Sequence, residues 1–278
     1  MLERLGTVRD RVLDRADLRQ GESLLDVGCG DGLIGFGALE RGAGRVIFSD
    51  ISEKLLDVCR RLADGEPRAE FVQAGAEDLR AIQDGSVDVV TTRSVIIYVA
   101  DKSRAFAEFF RVLRPRGRLS MFEPINRFAY PEPDGLYMGI EMGELWPLAR
   151  RVRDRYNAMA GDETAMIDFD ERDLLELAHE AGFEKADVLL EARIERGLLW
   201  DGKPSFDRML RIAPNPNAPA LEEVLDAELT PEERENFLAY VRPRYEAGDM
   251  TGRSAVAYLR ATKSNEGAES TSRKNDPP

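Results

Sequence analysis

At 278 residues and 43% hydrophobic side chains, the chain can build one large α/β domain or two small ones, and a core of that size needs no staple. A formal net charge of −13 and a pI near 4.8 argue against a nucleic-acid groove, which needs a basic footprint. No apolar run approaches the roughly 20 residues that span a bilayer, Met1-Leu2-Glu3-Arg4-Leu5 carries no signal-peptide core, and Cys29 and Cys59 lack metal or disulfide spacing; the expectation is a cytoplasmic protein without a metal.

Within 1–20, Leu5, Val8, Val12, Leu13 and Leu18 recur at helical spacing with charges between them, which predicts an amphipathic lead helix. The run Leu24 to Val27 then has the length of a buried parallel strand. It breaks into Gly28-Cys29-Gly30-Asp31-Gly32, and a helical pattern starts at Leu33. Strand, glycine turn and helix N-terminus together make the nucleotide crevice of a doubly wound sheet, where backbone N–H groups and the helix dipole favour a negative ligand group. The dinucleotide fingerprint would need glycine at 33. The stretch Asp26-Val27-Gly28-Cys29-Gly30-Asp31-Gly32 instead resembles the first motif of the class I S-adenosylmethionine-dependent methyltransferases. That resemblance implies a Rossmann-like α/β sheet of seven strands with the last antiparallel, and a loop wrapped around the methionine part of S-adenosylmethionine. Asp26, Gly28, Cys29, Gly30 and Gly32 are the expected contacts.

Gly44 to Asp50 reads as the second strand and ends in a carboxylate about 20 residues after the glycines, where an acid accepts the ribose hydroxyls. Asp50 is therefore a cofactor candidate, with Ser52 expected to cap the helix Glu53 to Leu62. By resemblance, Ile51 would lie against adenine. After an edge-like strand at 68–73 the family's adenine-contacting loop corresponds to Ala76, Glu77 and Asp78, and the sequence leaves open which acid does the work.

A buried fourth strand, 86–92, leads into Arg93-Ser94-Val95-Ile96-Ile97-Tyr98 at the carboxyl edge of the sheet. Arg93, with Ser94, is a candidate holder of the methionine carboxylate. Many small-molecule methyltransferases carry one or two histidines here; Ile97 and Tyr98 replace them, and a phenol orients an acceptor but is a poor base near neutral pH. A helix over Lys102 to Leu113 should turn Phe106, Phe109 and Phe110 to the sheet and stop at Arg114-Pro115-Arg116-Gly117. The fifth strand, 118–122, delivers Glu123, a candidate base together with Tyr98.

Residues 127–169 and 197–250 read as helical insertions in a single domain spanning 1–263, and 264–278 as a disordered tail. The first insertion is rich in aromatic and methionine side chains, suited to a lid over an acceptor. Tyr98, Tyr130, Tyr137, Met138 and Trp146 are the candidate acceptor contacts; a satellite core is the competing reading for the insertion's residues. The second contains Trp200, the Pro214-Asn215-Pro216-Asn217 linker and a capped helix start at Thr230-Pro231. Arg150 to Arg155 is read as a solvated helix face, and His179 as structural. Residues 253–262 supply the antiparallel closing strand. The implied activity is methyl transfer to O, N or C of a small-molecule acceptor such as a secondary metabolite, quinone or lipid, with no nucleic-acid partner. A homodimer, aminopropyl transfer and a non-catalytic binding protein on the same fold stay open.

Overall fold

The computed structural model describes residues 2–160, 164–197, 204–213 and 218–265. Trp200, the 214–217 linker and the tail beyond 265 lie outside them. Among the described residues no helix is long and apolar enough to cross a membrane.

The chain begins with α1 (Leu2–Arg15), β1 (Ser23–Val27), α2 (Leu33–Glu40), β2 (Arg45–Asp50), α3 (Glu53–Ala63), β3 (Ala69–Gln73) and β4 (Val87–Arg93). Then come α4 (Lys102–Val112), β5 (Leu113–Pro124), a small hairpin of β6 (Leu136–Tyr137) and β7 (Ile140–Glu141), α5 (Trp146–Ala160) and α6 (Glu171–Glu180). β8 (Lys185–Arg196), α7 (Phe206–Arg211), α8 (Leu221–Glu228), α9 (Pro231–Ala247) and β9 (Thr251–Thr262) complete it. The main sheet has seven strands in the order β3-β2-β1-β4-β5-β9-β8. β1 to β5 pair in parallel, and β9 runs antiparallel to β5, which agrees with the seven-stranded, antiparallel-ended sheet implied by the sequence.

The chain divides into two compact units. The sheet unit comprises Leu2–Pro124, Glu171–Leu190 and the chain from Val256 onward; the helical unit comprises Ile125–Asp170 and Glu191–Ala255. In the sheet unit β1 is buried at every position, as its apolar run requires. Phe48 of β2 is fully buried between Phe36 and Phe71, with ring centroids 5.0 and 5.3 Å away. A Cβ on Gly35 would stand 2.3 Å from the Phe48 ring, so this glycine lets α2 lie close on the sheet. The helical unit has its own core, built from Tyr137, Met142, Val152, Val224, Phe237 and Val241 among others.

Several local expectations are corrected. Residue 113 already belongs to β5, because Leu113 pairs with Val87 across a register shift before the regular ladder resumes at Val89. Phe110 is half-buried rather than facing the sheet, and meets Phe183 edge-on at 5.2 Å. Ser52 stands at the N-cap of α3, but its hydroxyl makes no capping bond and the Leu55 N–H donates to its carbonyl at 3.0 Å; its own N–H donates to Asp50 Oδ1 at 2.8 Å. The first insertion is not wholly helical, since the β6–β7 hairpin turns through Met138 and Gly139, both at positive φ. Arg151 pairs with Glu228 and Glu233, and Arg153 stacks on Trp146 at 4.8 Å, in keeping with a solvated helix face for 150–155. His179 is exposed on α6.

Candidate active site

In this strand order the chain reverses direction of growth between β1 and β4, and a ligand crevice opens at the carboxyl ends of the strands there. Gly28, Gly30 and Gly32 all occupy the left-handed region, at φ 65°, 58° and 85°. Their surroundings differ. A Cβ on Gly28 would lie 2.4 Å from Val95 Cγ2, and one on Gly32 would strike Phe36 at 2.5 Å, whereas a Cβ on Gly30 would meet nothing within 4 Å. The Gly30 side of the loop therefore faces open space, and the backbone can be approached there.

Two consecutive amides tie the middle of the loop to the end of β2. Cys29 N–H donates to Ser49 O at 2.9 Å, and Gly30 N–H donates to Asp50 Oδ2 at 2.9 Å. Asp50 thus spans the glycine loop and the start of α3, and it is 7% exposed. Each carboxylate oxygen keeps a second lone-pair site for a ligand hydroxyl. Asp26 is enclosed beneath, 1% exposed, accepting from Gly35 N–H and Thr91 Oγ1, each at 3.0 Å. It satisfies one of the free N–H groups at the start of α2. Burial pushes its carboxyl up to about 7, against the bonds from Thr91 and Gly35 and the charge of Arg93. Asp26 is therefore a support behind the loop. Cys29 and Cys59 are buried, and burial raises both thiols, so neither is an activated nucleophile.

Ile51 is 75% exposed beside the loop after β3, with Cγ2 3.0 Å from the Cβ position of Gly75. In that loop Ala76 is buried, Asp78 pairs with Arg80, and Glu77 Oε1 accepts from Asp101 N–H at 2.8 Å. Across the crevice Arg93 ends β4, half-buried and with no ion pair among the described residues; its charge acts on Asp26. Ser94 follows at φ 56°, and its N–H donates to Phe122 O. A 3-10 turn, Ile96–Tyr98, leaves Ile97 buried and Tyr98 64% exposed. Glu123 sits under that turn, wholly buried. Burial pushes its carboxyl up to about 7 although the amides of Val95, Ile96 and Ile97 and the Thr92 hydroxyl favour the ionised form.

Residues 25–121 match the family model described as a methyltransferase domain. The chain is 32% identical over 184 residues to a ubiquinone/menaquinone biosynthesis C-methyltransferase of Marinomonas sp., covering 62% of this chain and 70% of that protein. The chain belongs to the class I S-adenosylmethionine-dependent methyltransferases. It is also 43% identical over 116 residues to an uncharacterized 37.1 kDa protein in a transposon of Streptomyces fradiae, and spans only 33% of that relative's length. Among solved structures, that of a putative methyltransferase from Bacillus halodurans superposes with a TM-score of 0.55 at 20% identity, over 93% of this chain and 99% of that one. The cofactor of this methyltransferase is S-adenosylmethionine, and the crevice fits it, with open space at Gly30, a carboxylate at Asp50 and, at Arg93, a guanidinium that forms no ion pair among the described residues.

Sequence-derived candidates thus collect from four strand ends: the glycines and Asp26 after β1, Asp50 and Ile51 after β2, Ala76 to Asp78 after β3, and Arg93, Ser94 and Tyr98 after β4. Of the acceptor candidates in the helical unit, Tyr137 is 7% exposed and edge-on to Phe237 at 5.4 Å, which makes it a core residue there. Tyr130 is exposed, and Met138 and Trp146 are half-buried. Val95, Thr91 and Gly35 escape sequence reasoning. The threonines of β4, polar in a buried strand, are the only sign that an acid needed partners.

Proposed function

We propose that this methyltransferase alkylates an electron-rich ring carbon of a small apolar acceptor of the quinol type. The observation that carries the cofactor half is the left-handed Gly28–Gly32 loop, tied through the Gly30 N–H to Asp50, with Arg93 at the end of the neighbouring β4. In this reading Asp50 receives the ribose hydroxyls, Ile51 lies on the adenine with the 76–78 loop at its edge, and Arg93 and Ser94 receive the methionine carboxylate. The bound cofactor supplies a methyl group already activated on a sulfonium. What the chain must add is alignment and exclusion of water, potentially worth about 7–11 kcal/mol.

Support for a carbon acceptor comes from the relatives at 30–32% identity, which are named as ubiquinone/menaquinone C-methyltransferases. The residues at 97 and 98 are consistent with it, because an ionised hydroquinone needs no strong base beside it. In this reading Tyr98, exposed at the carboxyl edge of the sheet, orients the ring. An arginine with no ion pair among the described residues favours a cofactor that keeps its carboxylate, which speaks against aminopropyl transfer.

The test is turnover of methyl-labelled S-adenosylmethionine with a reduced, ring-unsubstituted naphthoquinol, the product located by mass spectrometry. Label on a ring carbon supports the reading; label on oxygen, or turnover only with amines, overturns the acceptor half. Asp50→Ala is expected to weaken S-adenosylhomocysteine binding by about 1.5–3 kcal/mol in a calorimetric titration, because two charge-assisted bonds are lost.

A further inference from the structure

Glu123 stands next to last in β5, its side chain is 0% exposed and its two oxygens are not equivalent. Oε1 accepts from the Val95 N–H at 3.0 Å and from Thr92 Oγ1 at 3.3 Å. Oε2 is equally buried and accepts no hydrogen bond of good geometry, although the Ile96 and Ile97 amides also favour the charged carboxylate. A side chain chosen for packing alone would be apolar, since an unbonded buried oxygen is a cost without return. The carboxyl group is explained by what Oε1 holds.

It holds the turn that follows β4. Ser94, at φ 56°, swings the backbone off the sheet, and the Val95 N–H then points back beneath it to Glu123. With its amide fixed, Val95 brings Cγ2 to 2.4 Å from the point a Cβ on Gly28 would occupy. The contact therefore runs from the carboxylate, through one valine, to the backbone of the first loop glycine. Thr92, Oε1's second partner, lies in β4, so the same acid also ties the turn to the strand beneath it.

We propose that Glu123 is a positioning residue for the cofactor loop, acting through Val95 to back Gly28 and so set the floor of the methionine end of the site. It is not a general base for the acceptor, because it is enclosed and its bonded oxygen serves the backbone. This rests on the assignment of the Gly28–Gly32 loop to the cofactor.

Calorimetric titration with S-adenosylhomocysteine, run beside thermal unfolding, tests it on wild type, E123Q, E123L, V95A and the double variant V95A/E123L. E123L is expected to weaken product binding about tenfold or more, and E123Q, whose amide oxygen still accepts from Val95, by no more than about threefold. V95A should weaken binding in the same direction, and adding E123L to it should cost little more, because both changes break one chain of contacts. V95A leaves the acid in place and carries the test if E123L does not fold. Product affinity unchanged in folded E123L or in V95A, or costs that add in full, would overturn the proposal, as would a lowered melting temperature with affinity intact. Failure of the wild type itself to bind product would instead remove the loop assignment on which the proposal stands.

Discussion

Two buried acids, Asp26 and Glu123, lie behind the crevice with carboxyl groups pushed up to about 7 by burial. In the unfolded chain both ionise near pH 4, so between about pH 4 and 7 the folded state holds more protons and loses stability as pH rises. Above about pH 7 the effect is complete. Each acid contributes on the order of 2–4 kcal/mol to that slope. Asp26→Asn, whose amide oxygen can accept from Gly35 while its NH2 faces Thr91, is expected to flatten it, read as urea midpoints at pH 5, 6, 7 and 8. The glycines separate just as sharply. Gly30→Ala should keep the melting temperature to within the effect of about 1–2 kcal/mol of left-handed strain while lowering product affinity at least tenfold. Gly28→Ala should cost more in melting temperature, since Val95 occupies the space. At this scale Asp50 was legible, because strand, turn and acid stand at a fixed separation in one sequence segment. Val95 was not: nothing in a valine announces contact with a glycine 67 residues earlier.

Elements were legible where a local rule sets them. Thr230 Oγ1 accepts from Glu233 N–H at 3.3 Å and Glu233 Oε2 accepts from Thr230 N–H at 2.9 Å, the capping box that Thr230-Pro231-Glu232-Glu233 foretells. Thr230→Ala should lower stability by about 1 kcal/mol in chemical denaturation, with product affinity unchanged. Elements were misread where a neighbour decides. Arg114-Pro115-Arg116-Gly117 follows the end of α4 as a stop should, but it forms a bulge within β5: the ladder to β4 pairs Val87 with Leu113, skips 114–117 and resumes with Val89 and Arg118, and Arg116 stands at φ 64°. Ser52 reads as a cap by its hydroxyl, but the Leu55 N–H that the hydroxyl would take donates to the Ser52 carbonyl instead. The β6–β7 turn hides because methionine is a poor residue for positive φ; Glu132 compensates by accepting from both the Met138 and the Gly139 N–H, at 2.8 and 2.7 Å. Replacing Met138 with Asn, which tolerates that conformation, should raise stability by about 0.5–1 kcal/mol.

At the scale of the molecule, the seven-stranded order followed from motifs spread along the first half of the chain. The helical unit could not be read so far, since its core joins residues 125–170 to 191–255 across an intervening helix and strand, and periodicity within one segment carries no trace of that union. Each unit has a core of its own. Saturating S-adenosylhomocysteine should therefore slow amide exchange in β1, β2 and the 93–98 turn, with the core amides of α8 and α9 changing little; equal protection of α8 and α9 would contradict separate cores.

The position of β9 in the sheet also bears on how the protein is made. β9 lies between β5 and β8, yet of the described strands of this sheet it is the last to leave the ribosome. Until residues 251–262 emerge, the nascent sheet presents β5 as a bare edge and β8 has no neighbour to join. Synthesis at about 5–20 residues per second leaves that edge open for several seconds while the helical unit is completed. A ribosome stalled ahead of Thr251 would therefore yield an aggregating chain rather than a partly active one, however intact its cofactor loop.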